Sequence, residues 1–391
     1  MSLRDPLASV LEEKKIVICL GGGGVGKTTV SAAIALAAAL RGRRTAVLTI
    51  DPARRLKDSL GIPDLADRPV RVSLEEIGGR PGGSGELTAM MLDAKRTFDQ
   101  LIARFAPNLE AARRILDNRL YQYVSGALAG SQEYMALEKL YEIATANDYD
   151  LVVIDTPPTH HALDFLDAPR RMIDLLGSRA ISFLQRPSLA IFGVGSRIAQ
   201  ATLEAILRAL ERFTGMKLLA EVADFVGSFE GMLGGFRDRA EAVRRLLRDP
   251  GTAAVLVTSP EPLAVEEAID FYRELDRAGL CLGGVVVNRT VPESLLAPRR
   301  RRRRSDMPRE LRTKLREARR ELEALADRDR RMFASLREAV GGELPIAMVP
   351  AFARDVASLD ALRDVAEFLV PAIARQRKVT PLRAGLRDQG S

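Results

Sequence analysis

Residues 19–29 read "CLGGGGVGKTT", and this stretch decides the fold. Residues 21–28 fit the pattern G-x-x-x-x-G-K-[ST], whose glycines allow the backbone to wrap closely around phosphate groups. An apolar run precedes the stretch and an alanine-rich segment of helical character follows it, which is the context that this pattern requires. The sequence therefore predicts a strand, a phosphate-binding loop and a helix whose N-terminus points at the phosphates.

The predicted loop implies ATP and Mg²⁺ as cofactors. Lys27 is expected to contact the β- and γ-phosphates, and the Thr28 hydroxyl is expected to ligate Mg²⁺. Backbone N–H groups of the loop and of the helix start supply further contacts to the phosphates. The predicted nucleotide-contacting residues share the loop and the first helical turn, and they are Gly21, Gly22, Gly23, Gly24, Val25, Gly26, Lys27, Thr28 and Thr29.

Two carboxylates follow other apolar runs of the chain. Asp155 ends "LVVID" (151–155), and Asp51 follows "TAVLTI" (45–50). Ligands of open parallel sheets bind outside the carboxyl ends of the strands, so both carboxylates are expected to converge on the nucleotide. Asp155 would hold Mg²⁺ through water, and Asp51 is a further candidate ligand of the ion. Either carboxylate could instead cap a helix, but the position of Asp51 relative to the loop favours a functional role.

Short apolar runs alternate with longer helical patterns along most of the chain. Because these runs are apolar throughout, they predict strands that are buried on both faces of a mostly parallel sheet. The expected fold class is α/β, a P-loop NTPase with a mostly parallel twisted sheet flanked by helices and an inserted helical subdomain. The predicted strands are 16–20, 45–50, 87–92, 151–155, 253–258, 283–288 and 344–349.

The chain is expected to form a single ATPase domain over residues 1–375, followed by a mobile polar tail at 376–391. Two long insertions, at about 94–148 and 171–250, have helical character and interrupt the strand–helix alternation. A basic segment at about 299–338 is also expected to be helical, because its charges alternate in sign at helical spacing.

Composition limits the classes of function. The chain is 47% hydrophobic and has a net charge of +7, but residues 299–331 carry 15 Lys and Arg against 7 Asp and Glu. The basic character is therefore local and does not favour nucleic acid as a partner of the whole protein. No apolar run is long enough for a membrane span, which predicts a cytoplasmic protein with peripheral membrane contact left open. Cys19 and Cys281 are the only cysteines, so no disulfide framework or zinc site is expected.

Four ordered motifs resemble those of the ArsA-type and Get-pathway ATPases: "GGGGVGKTT", "TIDPARRLKDSLG", "VVIDTPPTHHALDFLDAP" and "VVVNR". The resemblance spans about residues 14–370, and "QEYMALEKLYE" looks closest to the bacterial ArsA-like branch. This family includes arsenite-pump ATPases and factors that target tail-anchored membrane proteins. The resemblance implies a homodimer that closes on ATP and reopens after hydrolysis.

The resemblance also implies roles for individual residues. Asp51 is similar to the switch I aspartate that orients the attacking water, and Asp155 begins the switch II motif. Asn288, followed by Arg289, resembles the asparagine that reads the adenine, and Pro350 resembles part of the loop beside the base.

Gly22 departs from the family pattern, which has a lysine there that reaches across the dimer to the partner's phosphates. A cation at the transferred phosphoryl group accelerates hydrolysis by several orders of magnitude. Hydrolysis is therefore expected to be slow unless another cation substitutes, and Arg54 and Arg55 are the candidates, although both could simply begin a solvated helix. His160 and His161 could relay protons, but a positional role is favoured.

The basic segment begins with six arginines, Arg299–Arg304. The zinc-binding Cys-x-x-Cys of the eukaryotic targeting factors would fall in this region, and it is not present in the sequence. A solvated surface is favoured for the arginines; the alternatives are an acidic partner, an anionic lipid or nucleic acid. Arsenite binding is not favoured, because Cys19 lies inside the first strand and is expected to be a buried structural residue.

The second insertion raises the question of a client. Seven of the 13 phenylalanines lie between residues 165 and 236, and glycines interrupt the apolar runs there. The segment could form a groove for a hydrophobic or membrane-protein client, or it could be the plain core of a helical layer. The alternatives to a client-binding ATPase are a regulatory ATPase in a heterodimer with a paralogue, and a partition-type positioning ATPase.

Overall fold

The computed structural model describes residues 6–50, 55–62, 68–75, 77, 85–118, 121, 132–157, 166–176, 232–296 and 308–371. Eight strands form one sheet in the order β3-β4-β2-β5-β1-β6-β7-β8. All neighbouring strands are parallel except β3, which pairs antiparallel with β4 at the edge. The expected α/β fold class is confirmed. The strands are β1 (Ile16–Leu20), β2 (Arg44–Thr49), β3 (Val70–Val72), β4 (Glu86–Met91), β5 (Leu151–Asp155), β6 (Thr252–Thr258), β7 (Leu282–Thr290) and β8 (Ile346–Pro350).

Seven of these strands coincide with the predicted apolar runs, with small shifts at their ends. β8 begins at Ile346 rather than at Leu344, because Pro345 has no N–H group to donate to the sheet. The short edge strand β3 was not predicted. Its three residues place exposed Arg71 between two valines, which is too short a pattern to recognise in the sequence.

Helices occupy most of the described chain between the strands. The predicted helix after the phosphate-binding loop begins at Lys27 and ends at Leu40, two residues before Gly42, whose φ is 95°. The described helices are α1 (Ala8–Glu13), α2 (Lys27–Leu40), α3 (Arg55–Leu60), α4 (Ala94–Phe105), α5 (Leu109–Leu116), α6 (Gln132–Ala146), α7 (Ala168–Leu176), α8 (Leu233–Leu247), α9 (Pro262–Arg277), α10 (Glu293–Leu296), α11 (Arg309–Val340) and α12 (Leu359–Leu369). None of them is both long and apolar enough to cross a membrane.

The sheet separates two apolar layers. Along β1, Ile16, Ile18 and Leu20 contribute to one layer, and Val17 and Cys19 contribute to the other. The alternation explains why the strand is apolar throughout, since both of its faces are covered. The second layer holds α1, α2, α3 and α12. The first layer holds the described helices of both insertions, α4 to α8, together with α9 and α11.

The described part of the second insertion belongs to the core of the helical layer. Phe236 of α8 is 3% exposed and packs against Phe98 and Phe105 of α4, with ring centroids 6.2 and 5.3 Å away. Met232 is also buried. Most of the predicted client segment, residues 177–231, and the tail from residue 372 lie outside the described residues.

Candidate nucleotide-binding site

The phosphate-binding loop joins the end of β1 to the start of α2. Lys27 is buried, and its Nζ donates hydrogen bonds to the carbonyl oxygens of Gly21, at 2.9 Å, and Gly22, at 2.7 Å. Thr28 follows in the first turn of α2 and is half-buried. The first N–H groups of a helix have no partner within the helix, so this turn presents donors toward the loop.

Asn288, at the end of β7, braces the loop from the neighbouring part of the sheet. It is 8% exposed, and its Nδ2 donates a hydrogen bond of 2.9 Å to the carbonyl oxygen of Val25. Gly26 follows with a φ of 94°, and a β-carbon there would lie 2.2 Å from that Nδ2. Glycine is therefore required at residue 26 both for the left-handed backbone and for the approach of Asn288.

The residues that were predicted to lie beside the base come together at the ends of β7 and β8. Arg289 has a φ of 63° and an exposed side chain, and the β7–β8 register shifts at this residue. Thr290 then pairs with Pro350. A left-handed, non-glycine residue at a bulge redirects its side chain out of the sheet, and such positions concentrate at functional sites.

Asp155 ends β5, between β1 and β2, and is fully buried. Its Oδ2 accepts a hydrogen bond of 2.9 Å from Oγ1 of Thr49 at the end of β2. The next residue, Thr156, donates from its hydroxyl to the carbonyl oxygen of Cys19, at 2.7 Å, immediately before the loop. These two threonines fix the end of β5 to both of its neighbours, and neither was predicted as a site residue.

Gly22, where the family pattern has a lysine, faces a carboxylate. A β-carbon at this residue would lie 2.3 Å from Oε2 of Glu267, a half-buried side chain of α9. The sequence alone could not reveal this neighbour, because Glu267 is remote in the chain. A side chain at residue 22 would require Glu267 to move.

Several predicted site residues cannot be located in the fold. Asp51, Arg54, His160 and His161 lie outside the described residues, as does the run Arg299–Arg304. Arg55 begins α3, but its side chain is outside the described part of the chain.

Cys19 lies beneath the loop and is fully buried, as predicted. The pKa of its thiol is raised to about 12, mainly by burial and also by the carboxylate of Asp155, while Ser31 and Lys27 act in the opposite direction. A protonated, buried thiol is a poor nucleophile and a poor metal ligand, so Cys19 has a structural role.

A buried ionic cluster lies in the helical layer, away from the loop. Glu138 of α6 is 1% exposed and accepts hydrogen bonds from the hydroxyl of Tyr134, at 2.6 Å, and from Nε of Arg239 of α8, at 2.7 Å. The guanidinium lies 3.8 Å from the ring centroid of Tyr141. Burial, reinforced by Glu138, raises the pKa of Tyr134. The sequence "QEYMALEKLYE" already indicates part of this cluster, because helical spacing places Glu138 on the same face as both tyrosines.

The arrangement at the carboxyl edge of the sheet suits the binding of a nucleoside triphosphate. A buried ammonium and the N-terminus of a helix provide positive charge for phosphates, while a hydroxyl and a buried carboxylate provide the hard oxygen ligands that Mg²⁺ prefers. The loop that leads to Lys27 follows β1, and Asp155 ends β5; these two strands are adjacent and parallel.

Comparison with known proteins agrees with this geometry. The anion-transporting ATPase family matches residues 14–370. The ATPase ARSA2 of Chlamydomonas reinhardtii is 30% identical over 301 residues, covering 74% of this chain and 73% of that protein. The ATPase BagA of Mycobacterium tuberculosis is 22% identical over 293 residues, covering 73% and 68%. The ATPase GET3 of Malassezia globosa is 28% identical over 165 residues, covering 42% and 45%.

The family match extends over every strand of the sheet and over the loop that contains Lys27. The relative from Chlamydomonas reinhardtii covers more than two thirds of both chains at 30% identity. The protein is therefore a P-loop ATPase and belongs to the anion-transporting ATPase family.

Proposed function

We propose that this protein is a Mg²⁺-dependent ATPase switch that works as a dimer and couples ATP to the capture and release of a hydrophobic or membrane-protein client. The observation that supports it best is the convergence of buried Lys27 with Thr28 and Asp155 at the carboxyl ends of adjacent parallel strands. Lys27 already bonds to loop carbonyls, which it can exchange for phosphate oxygens when ATP binds.

The residues at this edge fit Mg²⁺. Thr28 offers a hydroxyl, and Asp155 offers a carboxylate that Thr49 holds in place at 2.9 Å. The proposed ligands are Thr28 and Asp155, with Asp51 as the third candidate from the sequence. The ion, when bound, neutralises charge on the phosphate oxygens. Asp51 is proposed to orient the attacking water.

A dimer is part of the proposal because the family resemblance implies one. Gly22 leaves both copies of a homodimer without the lysine that would reach the partner's phosphates. Hydrolysis is then expected to be slow unless another cation substitutes, since a cation at the transferred phosphoryl group contributes roughly 10³–10⁵-fold in related phosphoryl-transfer sites. The hydrophobic client is inferred from the family resemblance and from the apolar composition of residues 171–250.

A second candidate is a regulatory ATPase that pairs with a paralogue and has no hydrophobic client. The contact between Gly22 and Glu267 favours it, because this chain presents a carboxylate where a cation is expected. A second, different subunit could then supply the lysine, and Glu267 would offer a counter-charge for it.

The test is to trap the ATP-bound state. The variant Asp51→Asn is purified from its own cells in ATP, and Lys27→Ala serves as the control that is expected not to bind nucleotide. Enrichment of proteins with a single apolar segment, lost in the control, supports the client role. Recovery of only a P-loop paralogue supports the heterodimer, and recovery of neither contradicts both.

A further inference from the structure

The long helix α11 is packed along one half and exposed along the other. Its C-terminal half lies against the body of the protein, where Leu336 is fully buried and Met332 joins the apolar layer below the sheet. Residues 309–321 are exposed at every position. At about 1.5 Å per residue, the exposed part is roughly 20 Å long.

One apolar stripe runs along both halves. Its spacing alternates between four and three residues, which is the heptad pattern of a helix that packs against another helix. We call the N-terminal part of this pattern the α11 stripe, and it consists of Leu311, Leu315, Ala318, Leu322 and Leu325. All of them are exposed except Leu322, which is half-buried. The same spacing continues through Asp329, Met332, Leu336 and Ala339.

In the C-terminal half this face packs against the protein. Asp329 is 5% exposed and accepts a hydrogen bond of 2.8 Å from the backbone N–H of Val291, just after β7. In the N-terminal half the same face is open: Leu311, Leu315 and Leu325 are 46%, 49% and 41% exposed. No described residue covers them. Four leucines and an alanine at heptad spacing on an otherwise charged helix are more than scattered surface leucines.

The charges beside the α11 stripe indicate what covers it. Arg312 and Arg319 flank it on one side, and Lys314 and Glu321 flank it on the other. Arg319 pairs with Glu323 at 2.8 Å, whereas Arg312 and Lys314 make no ion pair within the described residues. Residues 309–325 carry six basic and four acidic side chains, and the six arginines 299–304 precede them in the sequence.

These flanks disfavour a second copy of the same helix. In a parallel pair, Lys314 would face Arg319 of the other copy. In an antiparallel pair, the attraction of Lys314 for Glu321 would only offset the repulsion between Arg312 and Arg319, so a partner with acidic flanks fits better than a second copy. An anionic membrane is also disfavoured, because four acidic side chains lie on the polar face and the stripe is narrow and has no aromatic residue.

We propose that the α11 stripe is a docking site for an amphipathic helix of another protein, with apolar residues along its seam and Asp or Glu at the flanking positions. Leucines of the two helices interdigitate, and Arg312 and Lys314 face the partner's carboxylates.

The probe is a designed four-heptad peptide with Leu at the seam positions and Glu at both flanking positions, labelled for fluorescence anisotropy. A matched peptide has Lys in place of Glu. The full-length protein is expected to bind the acidic peptide at least about tenfold more tightly than the basic one, and added salt weakens the binding. Measuring Lys27→Ala in parallel keeps this result independent of ATP chemistry.

Two variants localise the binding. Leu311→Ser combined with Leu315→Ser is expected to lower the affinity for the acidic peptide at least about tenfold, because the apolar contacts along the seam are lost. Leu109→Ser, at a leucine that is 77% exposed on α5, is the matched control and leaves binding unchanged. Arg312→Glu combined with Lys314→Glu reverses the preference, so that the basic peptide binds more tightly.

The proposal is wrong if the two peptides bind equally or if the leucine variants bind like the unchanged protein. It is also wrong if sedimentation shows self-association that the leucine variants abolish, since the occupant would then be a second copy. Retention on phosphatidylserine vesicles, lost in the leucine variants and without peptide binding, would equally overturn it in favour of a membrane surface.

Discussion

Lys27 and Arg239 both carry buried positive charges, but their partners differ. Lys27, 6% exposed, donates to two backbone carbonyls of a glycine-rich loop. Arg239, 9% exposed, donates to the carboxylate of Glu138 and lies over the ring of Tyr141. Loop carbonyls can be exchanged for phosphate oxygens, whereas a buried carboxylate and a ring hold their cation permanently. The first arrangement suits a ligand site, and the second fastens α8 to α6.

The largest expected effect tests the role of Lys27 as a phosphate-binding cation. Lys27→Ala is expected to lower the rate of ATP hydrolysis by about 10³-fold or more, because the cation at the phosphates is lost. Phosphate release measures the rate, at an ATP concentration that saturates the unchanged protein. Lys95→Ala, at a surface lysine paired with Asp99, is the control and retains full activity. A Lys27→Ala variant that keeps its rate would contradict the assignment.

The second prediction tests the buried ion pair between Arg239 and Glu138. Arg239→Met leaves the carboxylate of Glu138 buried without its cation, which is expected to lower the free energy of unfolding by about 3–5 kcal/mol. Urea unfolding measures it. Adding Glu138→Leu to the same chain removes the stranded charge and is expected to restore much of the loss. If the double variant were less stable than Arg239→Met, the burial argument would be wrong.

A third, smaller effect concerns Asn288. The resemblance assigns it to the adenine, while the structure shows it bonded to the loop at Val25. Asn288→Ala is expected to lower the affinity for ATP and for inorganic pyrophosphate about tenfold each, because losing a buried hydrogen bond loosens the phosphate-binding loop itself. Calorimetric titration with each ligand separates the roles. Weakening of ATP alone would show that the base contact dominates.

The smallest effect concerns the thiol below the loop. Because burial raises the pKa of Cys19 to about 12, the thiol of the folded protein keeps its proton where an ordinary thiol, with a pKa of 9.0, would lose it. The unfolded chain then binds fewer protons, so this group lowers stability only as the pH rises above about 9. A thiol reagent at neutral pH is expected to label exposed Cys281 alone, and both cysteines after unfolding. Labelling of native Cys19 would contradict its burial.

Much of the sheet could be predicted from the sequence because most of its strands can be recognised from consecutive residues alone. Each central strand is a continuous apolar run, and the glycine-rich loop has a fixed pattern. The edge strand β3 could not be predicted, because three residues with Arg71 in the middle form no recognisable period. Its partner β4 determines the conformation instead.

The contacts that shape the candidate site were harder to predict, because they join residues that are distant in the chain. Val25 and Asn288 are 263 positions apart, and only the sheet order brings them together. The approach of Glu267 to Gly22 has the same origin. Part of the ionic cluster is visible in the sequence, as a glutamate on the apolar face of α6. Its partner Arg239 is distant in the chain and could not be predicted.

Both insertions place their described helices in the same apolar layer, and the chain enters that layer at α7 soon after Asp155. A molecule bound by these helices and a nucleotide bound at the loop would then be two ligands of one folded chain. Thermodynamic linkage then makes their effects reciprocal: if ATP changes the affinity for such a molecule by some factor, that molecule changes the affinity for ATP by the same factor.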